Sequence, residues 1–423
     1  MSRRRISTAA PAVDNISSLP EVILCHILSF LPTKEAVATS ILSKRWTHLW
    51  HSVDTINFTD IQIHRSKSNY TFNESVYSVL VSRDAAAAGG SHLISSLCLK
   101  ISYSNHRLAH LSLPNIIKWI NLVVQRKLKH LLLHLDVNDD FDENDGDDAD
   151  EYFIPKIPAS VLTCKTLVSL DLNRFATEDF SDSFIGIEFP SLKTLVLKDI
   201  RCLTVREFMV LLFGCPILEY LQLREMCFHG EEDSLSIPEF KSFTLPKLIT
   251  AHIRNCCCSC FPVKALSNSE SLCIETLFLN KKDGIVYQVN QPQCRYEEVT
   301  IFHNLTQLKL YDGFNLAPQV LQQCPKLQNL DLYRYESVEN EEDDQENWVE
   351  PGFVPQCLLS SLITCTIHDL SDLPSDFLLA KYILRNAKIL QTMTICSNGE
   401  PSEIERKLLS CPKASATCRL LVS

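Results

Sequence analysis

The chain has 423 residues, 45% hydrophobic and 22% charged, the composition of a folded globular protein with room for two or three domains. Its net charge of −11 comes from two runs, nine acids between Asp139 and Glu151 and seven between Glu336 and Glu346, so the remainder stands at +5. No 18-residue stretch is predominantly apolar, which excludes a membrane span, and no nucleic-acid partner is expected.

Residues 1–13, rich in arginine and small side chains, read as a disordered basic tail. A secretory signal is not expected, because the next apolar run carries Glu21 and His26 and leads into Pro32-Thr33-Lys34-Glu35. In that run, Pro20 suits the first turn of a helix, with Ser17 or Ser18 as its cap. Almost every position from Val22 to Leu31 is apolar, so this helix is buried on more than one side. Pro32 stops it. Thr33 then caps a second helix through Val37 and Ile41, and Ser43 a third carrying Trp46, Leu49 and Trp50. Three helices in about 35 residues cannot bury so much apolar surface alone. Something else must cover them.

Residues 14–54 resemble the F-box, with which substrate receptors of Skp–cullin–F-box (SCF-type) ubiquitin ligases dock on a Skp-family adaptor. The resemblance rests on Leu19, Pro20, Ile23, Ile27, Leu28, Leu31, Pro32, Val37, Leu42, Ser43, Lys44, Arg45 and Trp46, and ends at Leu49-Trp50. It implies that these residues bind the adaptor, and through it a cullin–RING ligase. The other reading of the same residues is a helical cap whose apolar side chains are ordinary core. Residues 55–91 match nothing and are expected to be a linker between this head and the rest of the chain.

From residue 92 to 346 a six-residue unit recurs, apolar at its first, fourth and sixth places. It runs through Ile94-Leu97-Leu99, Leu128-Leu131-Leu133, Leu167-Leu170-Leu172, Leu192-Leu195-Leu197, Leu218-Leu221-Leu223 and Leu248-Ala251-Ile253. It continues at Ile274-Leu277-Leu279, Leu305-Leu308-Leu310 and Leu327-Leu330-Leu332, and beyond the block at Leu362-Cys365-Ile367 and Leu390-Met393-Ile395. Period two at the end of each unit marks a short strand, and a repeat near 25 residues is the leucine-rich-repeat signature. Lead-ins such as Cys215-Pro216-Ile217-Leu218 and Cys324-Pro325-Lys326-Leu327 strengthen it. The expected architecture is α/β: a three-helix F-box, then a curved leucine-rich-repeat solenoid with parallel strands, with eleven strands making a ridge on the order of 50 Å. The acidic runs read as solvated loops within it. A calcium loop is excluded in the first, since setting Gly146 at the sixth place puts Phe141 first and Tyr152 last.

The position after the last apolar residue of each unit faces outward, and reads His134, Asn173, Lys198, Arg224, Arg254, Asn280, Tyr311, Tyr333, His368 and Cys396, without an acid. Lys198, Arg224, Arg254, Tyr311 and Tyr333 are the candidate substrate-binding residues. Either the basic run reads an acidic or phosphorylated segment of a partner, or it is a mixed solvated face.

Residues 347–423 begin with Trp348-Val349-Glu350-Pro351 and Val354-Pro355-Gln356-Cys357-Leu358-Leu359, and contain Leu378 to Ala387 and Lys407 to Ser415. They resemble the FBD region found after leucine-rich repeats in plant F-box proteins, and are expected to cap the repeats. The family usually has a glycine near Asp369 to Asp372, and this chain has none there.

Without a secretory signal, the 18 cysteines are expected as reduced thiols in a cytoplasmic or nuclear protein. Cys256, Cys257, Cys258 and Cys260 lack a second Cys-x-x-Cys pair and read as repeat-core and loop residues, not as a metal site. No phosphate-cradling glycine loop, G-x-S-x-G or H-E-x-x-H is present, so neither a cofactor nor catalysis is expected. The resemblances together imply a non-catalytic substrate receptor of a ubiquitin ligase with an unidentified protein substrate. The alternatives are a repeat scaffold without a ubiquitin role and a ligand-dependent receptor.

Overall fold

The computed structural model describes residues 16, 18–86, 93–137, 154–176, 187–202, 205–228, 242–257, 263–275, 301–311, 317–334, 351–370, 374–397 and 401–423. Both acidic runs lie outside them, as do Leu277, Leu279 and Asn280. The chain divides into two units, Met1–Phe153 and Ile154–Ser423.

The first unit opens with α1 (Glu21–Ser29), α2 (Thr33–Ala38) and two 3-10 segments, Thr39–Ile41 and Trp46–Ser52. The expected third helix is therefore a 3-10 turn. Pro20 and Pro32 occupy the N-cap positions with ψ of 147° and 143° and no side-chain cap. The Pro20 carbonyl accepts from Ile23 and Leu24 at 3.0 and 3.1 Å. The Thr33 hydroxyl is used elsewhere: it accepts the Asn57 N–H at 2.7 Å. Leu24, Leu28, Ala36, Trp46, Leu49 and Val53 form the core of this head, with Trp50 packed on its edge.

The stretch 55–91, expected as a linker, holds β1 (Thr55–Ile63) and α3 (Ser66–Ala86). β1 pairs in parallel with β2 (Ser96–Tyr103), which pairs with β3 (His130–Val137); α4 (His106–Val124) lies between them in sequence. Val53-Ile56-Phe58 has the same spacing as the later units, and all three are buried. On α3, Phe72, Val76 and Leu80 are four residues apart and buried together. Phe72 meets Phe58 and Trp119 edge-to-face, with centroids at 5.8 and 6.0 Å. The buried Arg83 guanidinium donates to the Val53 carbonyl, tying α3 to the end of the head. Burial, with Arg126 nearby, lowers its pKa to about 10, so it stays charged at neutral pH.

Among the described residues the second unit holds ten parallel strands paired in chain order: β4 (Ser169–Ala176), β5 (Thr194–Cys202), β6 (Tyr220–Phe228), β7 (Thr250–Cys257), β8 (Ser271–Glu275), β9 (Gln307–Tyr311), β10 (Asn329–Tyr333), β11 (Thr364–Leu370), β12 (Thr392–Ser397) and β13 (Arg419–Val422). Helices Val205–Phe213, Ala317–Gln322, Gln356–Ser360, Pro374–Asn386 and Pro401–Leu409 stand between them. The leucines stack in register, as in Leu170–Leu195–Leu221 and Leu308–Leu330. Several of these strands are entered by a tight turn. The amides of Leu167, Leu218 and Leu327 donate to the carbonyls of Cys164, Cys215 and Cys324 at 3.4, 3.3 and 3.2 Å, and proline sits second in the last two.

The unit read as Ile274-Leu277-Leu279 is misplaced. Leu272 pairs with Ala251 and Leu308, and Ile274 with Ile253 and Leu310, so Ile274 is the last apolar position of its unit, not the first. Ser269 fills the leading place; fully buried, its hydroxyl donates to the Leu266 carbonyl at 2.8 Å.

Alternation does not end at the sixth place. Asp60, Arg174, Asp199, Glu225, Asn255 and Asp369 have φ between 46° and 65°, each two residues beyond the last apolar position of its six-residue unit. This left-handed step puts two successive residues outward and returns the next inward. Phe175, Ile200, Met226, Cys256 and Leu370 are accordingly buried. Asp and Asn tolerate the conformation better than most residues, and Asp369 adopts it where the family's glycine is missing.

The cysteines with described side chains are free thiols. Burial pushes Cys215 and Cys357 up to about 12, so both pack as neutral apolar groups. Cys256 is buried and bonds the Arg254 carbonyl at 3.4 Å, while the side chains of Cys257, Cys258 and Cys260 lie outside the described residues. No described helix is long and apolar enough to cross a membrane.

Candidate functional site

Two surfaces gather the residues singled out by sequence. The first is on the head. Leu24 and Leu28, one turn apart, take the inward face of α1, so Val22, Ile23, Ile27 and Phe30 are left outward. Phe30 is 73% exposed and Val22 79%, and Ile41 and Leu42, at the end of the first 3-10 segment, are 87% and 65% exposed. These are large apolar side chains in water beside a core that is already complete, and such patches mark interaction sites.

The sequence-predicted adaptor residues fall into three groups. Pro20, Ile23, Ile27, Leu42, Ser43, Lys44 and Arg45 are exposed. Leu19, Leu31, Pro32 and Val37 are half-buried, with Leu19 and Leu31 packed on the head core. Leu28 and Trp46 are core, at 1% and 6% exposure, and have no surface to offer a partner. Trp50, at the end of the resemblance, packs on the head's own core. Arg45 closes the head by donating to the Leu19 carbonyl. The most exposed side chains, Val22, Phe30 and Ile41, were not among the predicted residues; the signal for the first two was their place on the helix opposite Leu24 and Leu28.

The second surface is the solvent face of the strands in the second unit. Lys198, Arg224 and Arg254 do stand side by side on β5, β6 and β7. The column is not free of acid, however, because correcting β8 replaces Asn280 by Glu275, which pairs with Tyr311. Glu275 accepts the Asn255 N–H at 2.8 Å. The cations are matched locally: Lys198 lies 3.8 Å from Asp171 and Arg224 3.0 Å from Glu225. The Arg254 guanidinium instead covers the Tyr311 ring, 4.1 Å from its centroid.

From Arg254 the column continues as a stack. Tyr311 and Tyr333 lie 4.3 Å apart and 9° from parallel, and Tyr333 and His368 lie 4.1 Å apart and 2° from parallel. Burial raises both phenol pKa values, so the hydroxyls remain protonated at neutral pH. Just inside this ladder His252 is lowered, first by burial and then by Lys309 and Arg254. Among the described residues no group of three or more His, Cys, Asp or Glu is placed to hold a metal ion.

Three family models match the chain: the F-box domain at residues 16–57, the LRR repeats of FBD-associated F-box protein At5g56370 at 116–290, and FBD at 350–395. FBD-associated F-box protein At4g10400 of Arabidopsis thaliana is 30% identical over 96% of this chain and 99% of its own length. The chain belongs to the F-box/FBD/LRR-repeat proteins. Two further relatives from the same organism are similar over nearly the full chain. F-box/FBD/LRR-repeat protein At1g78750 is 27% identical, covering 97% of this chain and 96% of its own length. F-box/FBD/LRR-repeat protein At4g00160 is 28% identical, covering 93% and 89%. The head described above lies within the F-box match, and β3 to β8 within the repeat match.

Proposed function

We propose that this F-box protein is the substrate-recognition subunit of a Skp–cullin–F-box ubiquitin ligase, acting without chemistry of its own. The head would dock on a Skp-family adaptor and the repeat face would hold a protein substrate, so that the ligase's conjugating enzyme meets substrate lysines at high local concentration. The observation that carries this reading is the outward apolar face of Val22, Ile23, Ile27, Phe30, Ile41 and Leu42 on a head whose own core is closed. A helical cap with no partner has no use for such a face in water. The reading also places the protein in the cytoplasm or nucleus, where such ligases work.

Co-expression with a Skp-family adaptor tests it. The wild-type chain is expected to co-purify with the adaptor, and Ile23→Asp with Ile27→Asp to lose it while keeping the wild-type melting transition. A folded wild-type chain that fails to retain the adaptor would leave the repeat-scaffold reading.

A further inference from the structure

We infer that the head and strands β1 to β3 open as one cooperative unit, so that a partner docking on the head's outward face holds the first repeats closed as well. This rests on the reading that a Skp-family adaptor is that partner. It goes beyond that reading in saying what docking does to the rest of the chain. Three observations carry it.

The first is the edge. β1 comes first in the sheet order, with β2 as its strand neighbour. A strand in that place presents backbone groups that need cover. Here the cover is the head: α2 packs against β1, and the buried Thr33 hydroxyl accepts the Asn57 N–H at 2.7 Å. The head thus does for the first repeat what a terminal cap does for a repeat array.

The second is the connection. Two residues, Val53 and Asp54, separate Ser52 at the end of the second 3-10 segment from Thr55 at the start of β1. Neither is slack. Val53 belongs to the head core and also fills the leading place of the first repeat unit. Its carbonyl accepts from the buried Arg83 guanidinium of α3. The Asp54 carbonyl accepts the N–H groups of Ser95 and Ser96 at 2.8 and 3.2 Å, and its carboxylate accepts the Ser95 hydroxyl.

The third is where the boundaries fall. The F-box match ends at residue 57 and the repeat match begins at 116, so α3 and β2 lie in neither. The compact unit nevertheless runs from the head through β3. A head that opened alone would strip the edge of β1 and leave the Arg83 guanidinium buried without the Val53 carbonyl. Unpaired buried groups are costly, so opening of the whole unit is favoured over opening of the head alone. Docking on the head therefore lowers the population open through β1 to β3, and with it attack by proteases that need an open chain.

Hydrogen–deuterium exchange of the full chain, read by mass spectrometry, tests this in two arms. In the first, a Skp-family adaptor at about 100 times its Kd should slow the slowest amides of α1 and of β1 to β3 together, by about 100-fold. Thr33→Val with Arg83→Leu should cut the link, so that the adaptor still slows α1 while β2 and β3 hardly respond. The second arm needs neither the adaptor nor the double variant. Leu28→Val, which shortens a buried side chain of the head core, should speed the slowest amides of α1, β2 and β3 alike, by about two- to tenfold. Restriction of either effect to the head would overturn the inference, and so would a double variant that passes protection on undiminished. If the adaptor slows no amide while Leu28→Val acts on head and strands alike, the ligase reading fails and this inference stands.

Discussion

Apolar residues close together in the head should behave oppositely when cut back. Phe30 and Ile41 are 73% and 87% exposed, whereas Leu28 is 1% exposed in the head core. Burying a large apolar side chain fully is worth about 1.5–3 kcal/mol. Since most of Phe30 and Ile41 is still in water, docking can recover about 1–2.5 kcal/mol from each if the adaptor covers them. Phe30→Ser and Ile41→Ser should each weaken adaptor binding about five- to sixtyfold, and shift folding stability by no more than about 0.5 kcal/mol. Leu28→Ala should cost the head about 2–5 kcal/mol through the cavity it leaves. Titration calorimetry against a purified Skp-family adaptor, with differential scanning calorimetry of each variant, measures both quantities. Serine variants that bind like wild type would refute the assignment of the exposed face. So would Leu28→Ala weakening the adaptor complex without lowering the melting transition.

Arg83→Leu leaves the Val53 carbonyl without its donor; a loss of about 1–3 kcal/mol is expected by chemical denaturation, and an unchanged midpoint would show that the tie is idle. At Asp369, with φ of 55°, Asp369→Val should destabilise by about 1–2 kcal/mol. Asp369→Gly should be near neutral, because relief of strain offsets the added freedom of the unfolded chain; equal effects of the two would refute the strain account. His252 is held below its ordinary value of 6.5 by burial and by the cations Lys309 and Arg254. Below that pH the unfolded chain binds the proton more readily than the folded one, so stability present at neutral pH is lost on acidification. Melting between about pH 7.5 and 5 should fall less steeply in His252→Gln than in wild type, and parallel curves would dismiss the histidine's part.

Most of the strands were legible because leucine at the first, fourth and sixth places reports burial directly, and the register comes from stacking like on like. The failures trace to particular residues. Ser269 breaks the leucine rule without breaking the fold, since its buried hydroxyl is satisfied by Leu266, and a chance match five residues on then took its place. β1 was hidden for a different reason. Val53-Ile56-Phe58 fits the unit, but the left-handed Asp60 interrupts the alternation, and the polar helix behind it looked like connecting chain. The same left-handed step explains why Phe175, Ile200 and Met226 went unrecognised as core: an apolar residue eight places after the first leucine means little until the bulge is known. The aromatic stack needed the register itself, because Tyr311, Tyr333 and His368 are separated by 22 and 35 residues and meet only through strand pairing.

The head shows why a motif match and an interface are different statements. Leu28 and Trp46 carry much of the likeness to the F-box, and both are enclosed by the head. They specify the fold, and by drawing Leu24 and Leu28 inward they fix which face of α1 turns outward. Val22 and Phe30 carry none of the likeness, and sit where that geometry leaves them. A position under selection for packing keeps its identity across partners, whereas an exposed apolar position answers to whatever covers it. The strands repeat the distinction. Their leucines define the repeat, and the residues between them decide the surface: Lys198 and Arg224 look like an anion site in sequence, and become ion pairs once Asp171 and Glu225 are brought alongside. On both surfaces the buried side chains that carry the likeness, Leu28 and Trp46 in the head and the leucines of the strands, are spent on the fold, so what this particular chain binds must be read from the residues that the fold leaves facing outward.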